Sequence, residues 1–197
     1  MSTKQLGKFS TEVEIPDDVK VSFKSHMLNV EGPLGKTYKN FKKIPVDIEI
    51  DDNSVLLKAR GTRNANFAIM NTARSIIRNL FEGVIEGYTI KMKVVFSHFP
   101  INVKVEGSQV LIENFQGERA PRITKIWGKT KVVPKGDDVI ITGHVLTDVT
   151  QTAAEIENKS KVKNKDHRVF LDGIYKFEKN KGCLLYTSDA ADERSSV

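Results

Sequence analysis

The chain has 197 residues, of which 39% are hydrophobic and 28% charged, with a formal net charge of +6. That length supports one or two ordinary domains without disulfides or metal, and the basic balance favours polyanionic partners. No apolar run reaches the roughly 18 residues that span a bilayer, Met1–Gly7 carries no apolar secretory segment, and Cys183 has no second cysteine to pair with, so a cytoplasmic protein is expected.

Short β-branched runs bounded by turn residues predict strands. In the first half, Ile15-Pro16-Asp17-Asp18-Val19-Lys20-Val21 leads to the apolar run Met27–Val30, the turn Gly32-Pro33-Leu34-Gly35 and the run Asn53–Leu57. Pro33 supplies the fixed φ that the second position of a turn favours. Next, Phe67, Met70, Ala73, Ile76, Ile77, Leu80 and Phe81 fall on one helical face. Asn64 is the expected N-cap of that helix and Gly83 its expected C-terminal stop. The segment Tyr88–Val95 alternates apolar Tyr88, Ile90, Met92 and Val94 with polar Thr89, Lys91 and Lys93, as a strand does.

The second half then repeats the order of the first. Phe99-Pro100-Ile101-Asn102-Val103-Lys104-Val105 answers the segment at Ile15, Val110–Ile112 answers Met27–Val30, and Asn114-Phe115-Gln116-Gly117 answers the first turn. Asp137–Ile141 matches Asn53–Leu57, and Val149, Ala153 and Ile156 mark a shorter helix with Asp148 and Gln151 at capping-box spacing. The expected fold is α+β: two tandem repeated modules, each a small antiparallel sheet packed against one helix. Residues 1–86 form the N-terminal module and residues 87–182 the C-terminal one.

Residues 183–197 continue nothing in this pattern. They read as an adaptor-derived tail, the alternative being a natural acidic tail. Removing Asp189, Asp192, Glu193 and Arg194 with it leaves 30 basic and 22 acidic residues, a net charge of +8.

Little in the chain points to catalysis. His26, His98, His144 and His167 are not spaced as metal ligands. No Gly-Lys-Ser/Thr follows the glycine turn, no Gly-x-Ser-x-Gly elbow occurs, and the pairs Asp17-Asp18, Asp51-Asp52 and Asp137-Asp138 stand where turns belong. No catalytic residue, metal or cofactor is expected. An enzyme assembled from distant residues stays open at this level.

The positive signal is cationic. Arg119, Arg122, Lys125, Lys129 and Lys131 follow the second turn; Lys159, Lys161, Lys163 and Lys165 alternate with Ser160, Val162 and Asn164, and Arg168 comes next. Such a cluster after a short helix can neutralise phosphates, although a solvated charged face is the plainer reading of any charge run. Phe115 and Trp127 could stack on bases, but both are assigned to the core. Aromatic residues are few, so RNA recognition by shape and backbone is favoured over base readout, and a free-standing RNA-binding regulator is a further reading.

The segment Asn164-Lys165-Asp166-His167-Arg168-Val169-Phe170-Leu171-Asp172-Gly173-Ile174-Tyr175 resembles the C-terminal signature of the universal L-six family of large-subunit ribosomal proteins, called L-nine in eukaryotes. Three other blocks keep the order of the archaeal and eukaryotic branch: Val30–Gly35, Ser97–Val103 and Ile112–Glu118. The chain departs from the family pattern at His167 and Lys176-Phe177. The resemblance implies a structural, non-enzymatic protein of the cytoplasmic ribosome, bound to large-subunit rRNA near the elongation-factor-binding region. Its implied neighbours are ribosomal proteins of the stalk base, with translation factors nearby, no membrane contact and no homo-oligomer. It further implies that Lys163, Lys165 and Arg168 contact rRNA, with Lys159, Lys161, Arg119, Arg122 and Lys125 as further candidates. Phe170 and Tyr175 would anchor the segment on the core, and Asp172-Gly173 would make its turn.

Overall fold

The computed structural model describes residues 9–51, 53–166 and 168–182. Asp52, His167 and the expected tail at 183–197 lie outside the described residues. The first half holds β1 (Ser10–Glu14), β2 (Lys20–Lys24), β3 (Met27–Gly32), β4 (Gly35–Asn40), β5 (Val46–Asp51), β6 (Ser54–Ala59) and α1 (Asn64–Ile85). The second holds β7 (Tyr88–Val95), β8 (Asn102–Glu106), β9 (Gln109–Glu113), a 3-10 turn (Phe115–Gly117), β10 (Arg122–Lys125), β11 (Lys131–Lys135), β12 (Asp138–Gly143), α2 (Leu146–Lys159) and β13 (Gly173–Lys181).

All strand pairs are antiparallel, and the strand order repeats. The sheets β1-β6-β5 and β2-β3-β4 of the first half are answered by β7-β12-β11 and β8-β9-β10 of the second, where β13 adds a fourth strand beside β7. The α+β class with one helix per half is therefore as the sequence suggests. Each half, however, divides its strands between two small sheets. Prolines help to separate them: Pro16 lies between β1 and β2 and Pro45 between β4 and β5, where a missing N–H interrupts pairing.

Two apolar cores result. In one, Leu28, Val30, Val55 and Leu57 meet Met70, Ala73, Ile77 and Phe81 of α1. In the other, Ile112, Phe115, Val139 and Ile141 meet Val149, Ala153 and Ile156 of α2. On this separation of the cores we propose the module boundary at residues 86 and 87.

Both helix ends differ from expectation. Asn64 is the first helical residue of α1, and the extended residue before it is Arg63, which makes no side-chain cap bond. Gly83 is no stop; it lies buried inside the helix, which runs on to Ile85 and ends as the Gly87 N–H donates to the Glu82 carbonyl at 3.3 Å. Gly87 can turn there because its φ of +79° suits glycine. In α2, Asp148 sits inside the first turn rather than at the cap, which is Val145, and Gln151 donates to Glu155 instead of closing a capping box.

The halves meet where α1 ends. The Leu34 N–H donates to the Val84 carbonyl at 2.9 Å, so the Gly32–Gly35 turn rests on the last turn of α1. A Cβ on Gly32 would come within 2.7 Å of Val84, and one on Gly83 would collide with the His144 carbonyl just before α2. The Tyr88 hydroxyl donates to the Asn79 carbonyl at 2.9 Å, tying β7 back to α1. Burial, with Glu82 and Glu86 nearby, pushes the Tyr88 phenol up to about 12. Among the described residues, no helix is long and apolar enough to cross a membrane.

Candidate nucleic-acid interface

The C-terminal basic residues sit on a loop that leaves α2 at Ser160 and enters β13 at Gly173. Its two ends are clamped by one side chain. The buried Ser160 hydroxyl donates to the Glu157 carbonyl at 3.1 Å and accepts the Ile174 N–H at 3.0 Å. Val162 is buried in the second core and holds the loop down from its inner side. The alternation seen in the sequence thus becomes a division of faces: Ser160 and Val162 point inward, and Lys159, Lys161 and Lys163 point out. Asn164, with φ +59°, then turns the chain so that Lys165 also faces solvent.

The tip is organised by Asp166. Its carboxylate accepts the Arg168 backbone N–H at 3.0 Å and the guanidinium at 3.1–3.2 Å, while its carbonyl accepts from Val169 and Phe170. The Arg168 side chain is still 90% exposed, so this surface ion pair leaves most of the guanidinium available. Lys165 Nζ stands 4.7 Å from the centroid of the Phe170 ring. Among the described residues, no carboxylate lies in salt-bridge range of Lys161, Lys163 or Lys165. The loop therefore presents four exposed cations beside exposed Val169, Phe170 and Leu171.

Several expected roles change. Phe170 and Tyr175 are too exposed to anchor the loop in the core; Ile174 and Val162 do that, while the Tyr175 hydroxyl donates to the Leu171 carbonyl at 3.1 Å. Asp172-Gly173 is not the turn, which lies at Asp166–Phe170. Buried Asp172 instead accepts the Ser97 N–H at 2.7 Å, fastening the loop to the end of β7, and Gly173 opens β13 opposite Val95. A Cβ on Gly173 would come within 2.9 Å of the Tyr175 ring.

Arg122 turns inward. Its guanidinium donates to the Lys159 and Lys161 carbonyls at 2.7 and 3.1 Å, bonds the Glu118 carboxylate, and lies 3.9 Å over the buried Phe115 ring. These bonds hold the Glu118 carboxyl below the usual carboxylate range, against the opposing effect of its partial burial. Arg122 is thus occupied in holding the base of the loop rather than free for a phosphate. Arg119 is exposed in the segment before β10. Lys125 lies on the opposite face of β10 from Arg122, with Nζ 5.5 Å from the Trp127 ring. Phe115 is in the core as expected. Trp127 is not: it is a surface residue whose indole N–H donates to Glu155 at 2.7 Å.

Sequence reasoning missed Ser160, Val162 and Asp166 as the residues that shape the loop. The inward phase of Ser160 and Val162 within the lysine alternation was the available signal.

The described residues contain no group of three or more His, Cys, Asp or Glu arranged to hold a metal ion. The family described as Ribosomal protein L6 matches residues 99–173, which span β8 to the start of β13 and include the whole loop. The chain is 42% identical to the large ribosomal subunit protein uL6 of Methanosarcina mazei, over 88% of this chain and 99% of that protein. It is 43% identical to the uL6 proteins of Methanobrevibacter smithii and Aeropyrum pernix, in each case over 85% of this chain, and over 94% and 92% of those proteins. The similarity therefore runs through both modules as well as the loop, and the chain belongs to the uL6 family of large-subunit ribosomal proteins.

Proposed function

We propose that the loop between α2 and β13 is an rRNA-holding element, with Lys161, Lys163, Lys165 and Arg168 on phosphates and Lys159 and Arg119 at its margin. As a uL6 protein, the chain is a structural constituent of the large ribosomal subunit, serves translation and is not an enzyme. Its place of work is the cytoplasmic ribosome. The finer location, beside the elongation-factor-binding region with stalk-base proteins as neighbours and translation factors close by, follows from the family resemblance of the segment Asn164–Tyr175.

One observation carries the rRNA reading. Four cations stand exposed on a short loop that two hydrogen bonds, a buried one at Ser160 and a part-buried one at Asp172, fix to the module. Preorganised cations bind a polyanion without first being ordered, and an Arg fork can take a phosphate bidentately. Arg122 is assigned to support of this loop, and Lys125 is a separate cation on another face of the module.

Co-sedimentation tests the assignment. The tagged chain should travel with large subunits through a sucrose gradient at low salt, and chain carrying Lys163→Ala, Lys165→Ala and Arg168→Ala together should shift towards the ribosome-free fractions. Recovery of the unaltered chain only in ribosome-free fractions would sink the reading.

A further inference from the structure

The first module carries a second basic surface that none of the preceding roles uses. Register sets Lys20, Glu31 and Lys36 in one row across β2-β3-β4, Ser22, Asn29 and Tyr38 in the next, and Lys24, Met27 and Asn40 in the third. The alternate residues Val21, Phe23, Leu28 and Val30 face the core, and Thr37 and Lys39 of β4 lie in the same two rows. Every residue of the outer rows except Met27 is exposed, and Tyr38 is 68% exposed.

Tyr38 stands between two grooves. One, of about 460 Å³, runs over the sheet face past Lys20, Ser22 and Asn29. The other, of about 510 Å³, continues between the modules past Lys39, Lys129, His144 and Thr147 at the start of α2. Lys36, Thr37 and Tyr38 line both, so they form one trough that crosses the two halves.

The charge along this trough is positive. Glu31 is neutralised by Lys36 at 2.9 Å, and Asp148, which lines the groove beside Gly128 and Lys129, is the one acid set against Lys20, Lys39 and Lys129. Among the described residues, Lys20, Lys39 and Lys129 have no carboxylate in salt-bridge range. Directly across from Tyr38, Asn29 and then Ser22 are short, so the ring stands clear of bulky neighbours along its row. Spaced cations along a groove with one bare aromatic at its centre suit a strand whose phosphates follow the lysines while an unpaired base stacks on the ring. A duplex has its bases already stacked and would use the lysines only.

We propose that this Tyr38-centred trough is a second RNA-binding site, which takes an unpaired RNA segment by stacking a base on Tyr38 and holding phosphates on Lys20 and Lys129. It shares no residue with the loop between α2 and β13, so either site can fail without the other.

The test uses the full chain and two fluorescein-labelled probes, an oligouridine of about twelve nucleotides and an RNA duplex of similar length, read by anisotropy. Tyr38→Ala should weaken oligouridine binding by about tenfold, leave its salt dependence unchanged and leave duplex binding unaffected. Tyr38→Phe, which keeps the ring, should bind as the unaltered chain does. Lys129→Ala should lower the log–log salt slope by about 0.7, the value for one phosphate on a single strand. Matched thermal melting of the variants excludes misfolding as the cause of a loss. Oligouridine binding that survives Tyr38→Ala, or that is absent at low salt, overturns the proposal and leaves the face to a protein partner. A loss that Tyr38→Ala inflicts equally on both probes overturns the stacking role as well.

Discussion

Ser160 shows how much of a binding loop depends on a residue that touches no ligand. Its hydroxyl accepts the buried Ile174 N–H at 3.0 Å, and Ser160→Ala takes that acceptor away in a buried site. Leaving such a group unsatisfied costs about 1–3 kcal/mol, which chemical denaturation would read directly. Arg122 plays a matching part from the other side. Because its bonds hold the Glu118 carboxyl below its unfolded value, that pair contributes stability above the usual carboxylate range, and the contribution is lost as pH falls through the lowered folded value. Arg122→Ala should therefore lower stability at neutral pH and flatten its fall on acidification; an unchanged acid profile would contradict the pairing. The segment Asn164–Tyr175 was legible in the sequence as one functional unit, but not the roles within it. Arg122 looked like one more free cation because its partners, the Lys159 and Lys161 carbonyls, lie 37 and 39 residues away. Phe170 and Tyr175 looked like anchors because aromatic residues usually bury, while the anchoring falls to the smaller Val162 and Ile174.

At the scale of elements, the repeat was legible wherever apolar residues cluster and lost where pairing alone makes the strand. Ser10–Glu14 has a single buried apolar residue, Val13, yet forms β1 because every residue from Ser10 to Glu14 pairs with β6. That pairing makes β1 the counterpart of β7, which the sequence left without one. The helix ends were misread for a related reason: glycine in a helix suggests a stop, but Gly83 is there for proximity to another element. Gly→Ala within a helix normally stabilises by about 1 kcal/mol. At Gly83 the sign should reverse, because the new Cβ would meet the His144 backbone carbonyl, which cannot yield as a flexible side chain would. Gly83→Ala should destabilise by about 2 kcal/mol or more in chemical denaturation, within the range of overpacked sites. A stabilised variant would show that the approach of α1 to the start of α2 is looser than described.

For the whole molecule, the two cores are bridged by few but specific contacts, and Tyr88 is one that can be titrated. Its phenol is raised from 10.0 to about 12, so its contribution is fully present below pH 10 and is lost as pH rises towards 12, where the unfolded chain ionises first. Tyr88→Phe should remove that alkaline decline; a decline that persists unchanged in the variant would assign it to other groups. The bridge matters for function because it fixes the first module, with its Tyr38 trough, relative to the second, with its basic loop. The salt dependence of rRNA binding tests most directly whether that loop holds RNA. With large-subunit rRNA as the ligand, Lys163→Ala and Lys165→Ala should each reduce the log–log salt slope by about one, as expected for one lost phosphate contact. An unchanged slope in both variants would mean that these lysines face only solvent, and would contradict the account.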